Sequence, residues 1–149
     1  MRVIIQRVSQ ASVTIEQKLH ATIQKGLLLL VGFEETDCEV DIEWAVAKVA
    51  QMRIFNDSED KMNLSVKDIH GEILAVSQFT LFADTKKGNR PSFVKAASPL
   101  IAIPLYDSFK QKLSTYLGKS IQSGIFGADM KVNLTNDGPV TILLDSKNK

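Results

Sequence analysis

Five consecutive aliphatic residues, Leu27-Leu28-Leu29-Leu30-Val31, follow Gly26. A short apolar run without alternation reads as a strand covered on both faces, so the fold is built around a buried sheet. The flanking sequence is also strand-rich. Val3, Ile5 and Val8 mark a first strand. Ala11, Val13 and Ile15 alternate with Ser12, Thr14 and Glu16, the pattern of a half-buried strand, and Leu19 to Ile23 reads as its hairpin partner. Gln17-Lys18 is poor chemistry for the tight turn between them. Ile73 to Phe79, Ile121, Met130 to Leu134 and Val140 to Leu144 supply further strands.

Two helices are expected. Thr36 with Glu39 three residues on fits a capping box. Val40, Trp44, Ala47 and Gln51 or Ile54 then recur at helical spacing, which predicts a helix from Asp37 to about Met52. Ser98-Pro99 opens a second helix, with Leu105, Phe109, Leu113 and Tyr116 on one face and Gly118 as its stop. Pro104 should kink that helix or delay its start. The stretch Ser98 to Pro104 is unusually apolar for an exposed helix start. Asn56 to Lys61 and Ala83 to Lys95 read as polar surface loops, and Asp145 to Lys149 as a frayed tail. No repeat or linker divides the chain. The order of elements implies a single α+β domain over residues 1–149, a largely antiparallel sheet curled into a barrel-like core with two main helices.

Composition bounds the chemistry. The chain has 149 residues, 44% of them hydrophobic, as in an ordinary globular protein. Its net charge of +1 gives no support to a general affinity for nucleic acid. Cys38 is the only cysteine, which excludes an internal disulfide and argues against a thiolate metal site. The opening Met1 to Arg7 reads as a strand and lacks the apolar core of a signal peptide, and no apolar run nears the roughly 20 residues of a membrane span. A cytoplasmic protein with no membrane contact is expected. His20 and His70 are the only histidines, and neither lies in a motif with a nucleophile. A Ser-His-Asp triad would require distant segments to meet. Metal-ligand spacings and a Gly-rich phosphate loop are absent, so no metal or cofactor is expected.

Two segments carry what chemistry there is. Ser77-Gln78-Phe79-Thr80-Leu81 places three hydrogen-bonding side chains at the end of an apolar strand. It is either a solvated strand end or a site where Thr80 and backbone N–H groups hold an oxyanion or a water. Asn136-Asp137-Gly138-Pro139-Val140-Thr141 interrupts a run that would otherwise be one strand from Val132 to Leu144. It is either a plain hairpin or bulge, or a rigid loop with a cis Gly138–Pro139 bond aiming carbonyls at a ligand. The loop Lys86 to Phe93 adds Lys86, Lys87, Arg90 and an aromatic, either a solvated face or a phosphate contact.

Taken together, these motifs resemble those of the D-aminoacyl-tRNA deacylases, also called D-tyrosyl-tRNA deacylases. The resemblance covers nearly the whole chain. It runs through Met1 to Val8, Asn63 to Val66, Ser77 to Leu81, Gly88 to Phe93, Ser123 to Met130 and Asn136 to Thr141. It implies a homodimer that hydrolyses the ester between a D-amino acid and the terminal adenosine of tRNA, releasing both as chirality proofreading in translation. It implies that Gly138 and Pro139 form a cis pair entering the partner subunit's site, where an L side chain would collide with them. Glycine, with no side chain, would not be excluded. Arg7 matches the position that braces this pair. Thr80 matches a position proposed as nucleophile. With no base in its segment, the more economical mechanism has the tRNA 2′-OH activate or position water, with the Phe79 or Thr80 backbone N–H as oxyanion donor. Ser77 and Gln78 would support the pocket, and Leu81 and Ala102 fall at substrate-binding positions, Ala102 near the adenosine. The competing readings are a nucleic-acid-binding module without catalysis, and a small-molecule esterase pairing Thr80 with a distant histidine.

Overall fold

A computed structural model describes residues 1–149. Strand β1 (Arg2–Ile15) is followed by β2 (Lys18–Ile23) and β3 (Gly26–Gly32). Helix α1 (Glu39–Gln51) leads to a small hairpin, β4 (Phe55–Asn56) with β5 (Met62–Leu64). Strand β6 (Glu72–Ser77), helix α2 (Pro99–Leu117), β7 (Gln122–Ser123) and β8 (Met130–Asp145) complete the chain. The main sheet has the order β2-β1-β3-β6-β7, with β8 pairing β1. Antiparallel pairs join β1 to β2, β3 and β8, whereas β3–β6 and β6–β7 are parallel. The parallel pairs follow from α1 and α2, which supply the crossovers that such pairs need.

Strand β1 organises the curl. Arg2 to Val8 pair with β3, Ala11 to Ile15 pair with β2, and β8 runs along nearly the whole strand. One long strand thus joins several partners, and the sheet nearly closes into a barrel-like shape in a single α+β domain. The apolar run of β3 is explained by its two sides. Leu27, Leu29 and Val31 pack with Val3, Ile5, Ile42, Val49, Phe109 and Leu113 beneath the helices. Leu28 packs with Val8, Val13, Ile23, Leu74 and Val76 on the other face. Close approach of β3 to β6 needs Gly26, because a Cβ there would lie 1.8 Å from the Glu72 carbonyl oxygen.

Several local expectations are corrected. The β1–β2 hairpin turns at Glu16-Gln17, not Gln17-Lys18, and both residues have positive φ (49° and 63°), the left-handed pair that a two-residue hairpin requires. The strand expected over Ile73 to Phe79 stops at Ser77, and Phe79–Phe82 is a 3-10 turn. Pro104 lies inside α2 without delaying its start, and Gly118 caps the helix at φ 69°. The apolar stretch at the head of α2 stays largely exposed, Leu100 at 88%, with only Ala102 buried. No helix is long and apolar enough to cross a membrane.

The start of α1 and the chain's tail are tied together, which the sequence did not suggest. The cap is Cys38 rather than Thr36, with its backbone N–H donating to Asp41 Oδ2 at 3.0 Å. The tail is not frayed. Ser146 is buried and donates its N–H to the Met1 carbonyl at 3.0 Å. Lys147 Nζ reaches Asp41 at 2.8 Å and Asp37 at 3.3 Å, and Asp37 also pairs with the Met1 ammonium. Burial works against ionisation of Asp41, but bonds from Lys147, Ser146 and Cys38 outweigh it and hold the carboxyl well below the usual range. A depressed folded pKa contributes stability that is fully present above the unfolded value of about 3.9 and is lost as pH falls below it. Asp41→Asn should therefore lower stability at pH 7 and flatten its decline on acidification below about pH 4, as read by denaturant melts across pH.

Candidate active site

Strand β6 delivers Ser77 and Gln78 to the edge of an open cleft of about 310 Å³. Parallel pairing with β3 fixes Ser77 opposite Val31, and the Gln78 N–H continues the ladder to the Val31 carbonyl at 2.7 Å. The chain then turns sharply into the 3-10 segment. Gly32 permits this, since a Cβ there would sit 2.7 Å from the Gln78 carbonyl oxygen and 3.2 Å from Leu81 Cβ. At the start of such a turn the N–H groups have no acceptor within it, so those of Phe79 and Thr80 need acceptors from outside the turn. The Gln78 side-chain amide donates to the Thr80 hydroxyl.

The cleft is lined by Ser77, Gln78 and Phe79, by Phe33, Ala97 and Ala102, and by Phe126 to Met130. Beneath it, the Ala75 carbonyl accepts from the Gly124 N–H and from the buried Tyr106 hydroxyl, both at 2.9 Å. Burial pushes the Tyr106 phenol above its ordinary pKa, with the nearby Asp107 charge adding to the effect, so it serves as a fixed neutral donor. Phe79 is 55% exposed and meets Phe93 edge to face, with centroids 5.1 Å apart. Through that pair the loop carrying exposed Lys86, Lys87 and Arg90 sits beside the cleft, its base closed by hydrogen bonds between Asp84 and Ser92.

The structure does not gather all the predicted residues into this one cleft. Thr80 and Leu81 belong to the turn but do not line it. His20 and His70 are exposed and lie outside it, so Thr80 gains no imidazole base there. Asp129 lies at the rim, where Lys131 pairs with it at 2.9 Å. The stretch Phe126 to Met130 was not singled out for a role. Gly127 within it and Gly124 just before it were the available signal, since Gly127 has φ 76° and a Cβ on Gly124 would strike Met130.

Arg7, Gly138 and Pro139 form a separate feature. Gln6 pairs with Thr141 and Val8 with Asn136, so Asp137, Gly138, Pro139 and Val140 stand against Arg7 alone and bulge from β8. The Gly138–Pro139 bond is cis, and both residues are exposed and lie outside the cleft of their own chain. Arg7 is only 7% exposed. A buried guanidinium is tolerated only with acceptors. It has them in the carbonyls of Asp137 at 2.8 Å and Ile54 at 2.6 Å, with Asn56 Oδ1 at 3.3 Å and the Asp137 carboxylate at 3.5 Å. The bulge, with its cis bond, is thus clamped to β1 and to the segment leading into β4.

Similarity to known proteins agrees with this geometry. The family model for "D-Tyr-tRNA(Tyr) deacylase" matches residues 4–145. The chain is 66% identical to a D-aminoacyl-tRNA deacylase of Flavobacterium psychrophilum and 61% identical to one of Porphyromonas gingivalis, over 100% of this chain and 99% of each relative. A solved structure of the "c-Myc DNA Unwinding Element Binding Protein" superposes with a TM-score of 0.93 at 39% identity, covering 97% of this chain and 98% of that one. A full-length match to relatives of one name, on a fold that joins the Ser77–Phe82 segment to an open cleft, leads to one conclusion: the chain belongs to the D-aminoacyl-tRNA deacylase family, hydrolases of the aminoacyl-tRNA ester bond.

Proposed function

We propose that this protein works as a homodimer in the cytoplasm. Each cleft holds the terminal adenosine and D-aminoacyl ester of a tRNA, and the Gly138–Pro139 bulge of the other copy closes it. The observation that carries this reading is the placement of the clamped bulge: it is exposed, held at its base by Arg7, and outside its own cleft. In a two-fold pair the same two patches meet twice, so an orphan bulge and an open cleft on one chain are complementary features. A rigid main-chain wedge at the α-carbon admits hydrogen on the side where an L-residue carries its side chain, so selection works by rejection. Glycine passes the same filter, and glycyl-tRNA is a second substrate.

Ser77 and Gln78 shape the cleft wall, Ala102 borders the substrate, Leu81 anchors the turn from outside the lining, and the Phe79 and Thr80 backbone N–H groups face the developing oxyanion. The 2′-OH of the terminal ribose, adjacent to the ester, activates or positions the attacking water. The Thr80 hydroxyl is engaged by Gln78, which supports a positioning role for it. The test is deacylation of D- and L-tyrosyl-tRNA by the purified protein. kcat/KM should favour the D-ester by at least about 100-fold, or about 2.7 kcal/mol. Equal rates, or a preference for the L-ester, would refute the reading.

A second reading is a nucleic-acid-binding module without catalysis, favoured by the 39% identical structure named for DNA binding and by the basic loop. Salt-sensitive binding of duplex DNA without any loss of ester from D-tyrosyl-tRNA would select it.

A further inference from the structure

We propose that Arg2 is a positioning residue for ester hydrolysis, holding the Phe79–Phe82 turn against the cleft through the Leu81 carbonyl. The inference rests on the reading that this turn presents its N–H groups to the ester.

Arg2 lies on β1 and does not line the cleft. Its Nη1 donates to the Leu81 carbonyl at 2.8 Å. The guanidinium carbon sits 4.7 Å from the centre of the Phe82 ring, on the next residue of the turn. Its Nε donates to Asp145 Oδ2 at 3.1 Å. Asp145 is itself fixed, since its other oxygen accepts from the Lys147 N–H at 3.0 Å within the ordered tail. One planar cation is thereby held at three points, which fixes its tilt as well as its place, as a lysine in that position would not.

The mechanical consequence follows from the turn's other end. The Gln78 N–H is bound to Val31 on β3 at 2.7 Å, and the Thr80 carbonyl accepts from Ala83 at 3.1 Å. Carbonyls at the end of a helical turn lack partners within it, and for Leu81 that partner is Arg2. Both ends of the turn are therefore tied to adjacent strands, with Phe79 and Thr80 between the ties. Without Arg2 the C-terminal tie is lost and the turn can tilt, and a displacement of about 1 Å at reacting groups typically costs on the order of 100-fold in rate.

The experiment is steady-state hydrolysis of D-tyrosyl-tRNA by the full-length protein and by Arg2→Met, Arg2→Lys, Asp145→Asn and Gly32→Ala, with a thermal melt of each. Arg2→Met keeps the stem over Phe82 but removes the donor. It should lower kcat by roughly tenfold or more, with KM within about twofold and the enzyme still folded at the assay temperature. Arg2→Lys should recover part of the loss, because a donor to Leu81 returns. Asp145→Asn should fall between the two, with Arg2 still present. A kcat for Arg2→Met within twofold of wild type overturns the proposal, as does a loss confined to KM or accounted for by the unfolded fraction. Gly32→Ala displaces the same turn from the β3 side. If it lowers kcat while Arg2→Met does not, the role of Arg2 alone is refuted. If neither changes kcat, the catalytic reading of the turn fails with it.

Discussion

Gly138→Val is expected to reduce D-tyrosyl-tRNA hydrolysis by about 10³-fold or more while leaving a folded protein. The effect starts in the backbone. Gly138 has φ 128°, a region L side chains rarely adopt, and even a Cβ would lie 2.9 Å from Arg7 Nη2, 3.0 Å from Val140 Cγ2 and 3.1 Å from the Val140 nitrogen. The branched side chain cannot be accepted without moving the bulge or the guanidinium. Arg7 is the less free to yield, being buried and bound to the Ile54 and Asp137 carbonyls, and an unpaired buried cation is far costlier than a displaced loop. The bulge therefore shifts, and with it the group proposed to border the substrate α-carbon in the partner's cleft. Because Gly138 is exposed and apart from the core, the fall in melting temperature should be a few degrees, in keeping with a local strain of about 1–3 kcal/mol. Full activity in Gly138→Val with unaltered D/L selectivity would remove the bulge from the mechanism. Collapse of the fold would show that its role is structural.

Replacing the terminal ribose 2′-OH of D-tyrosyl-tRNA by hydrogen is expected to reduce single-turnover hydrolysis by roughly 10³- to 10⁴-fold, the upper range for general acid–base assistance. The cleft is poor in groups that could act as a base. It offers the Ser77 and Gln78 side chains and the rim carboxylate Asp129, which Lys131 already engages. Neither histidine lines it, and the Thr80 hydroxyl is bound by the Gln78 amide. A hydroxyl without a base is a poor nucleophile, which supports the proposed role of the substrate's 2′-OH in activating or positioning the attacking water. The companion expectation is that Thr80→Ala retains activity within about tenfold of wild type, while the backbone of the turn is unchanged. A dead but folded Thr80→Ala enzyme, together with undiminished rates on the deoxy substrate, would return catalysis to the threonine side chain.

Much of this arrangement could be read before any coordinates. The strands, the two helices and the stop at Gly118 follow from periodicity, because burial of alternate or every third to fourth residue is a local property of the pattern. The two chemical segments were legible because each breaks a pattern, three polar residues ending an apolar strand and a proline inside one. What failed has a common cause. Thr36 matched a capping box, but Asp37 is drawn to the Met1 ammonium, and the cap falls two residues later, at Cys38, with the helix starting at Glu39. The tail was expected to fray on composition, yet Ser146 and Lys147 find partners at residues far away in sequence. Glu16 and Gln17 adopt left-handed conformations against their propensity because pairing on both sides of the turn fixes its length.

By itself, then, the sequence determined most of the strands and both helices, and which two segments break the pattern, since those properties depend on neighbours a few residues apart. Only the tertiary structure decided that Thr80 stands outside the lining of the cleft, that Asp137 to Val140 bulge opposite Arg7, and that Arg2 ends on the Leu81 carbonyl. The physical reason is that β1 touches β2, β3 and β8 at once. The partners of Arg2 and Arg7 are set by how the sheet curls, and curvature is a sum over pairings that no local window contains.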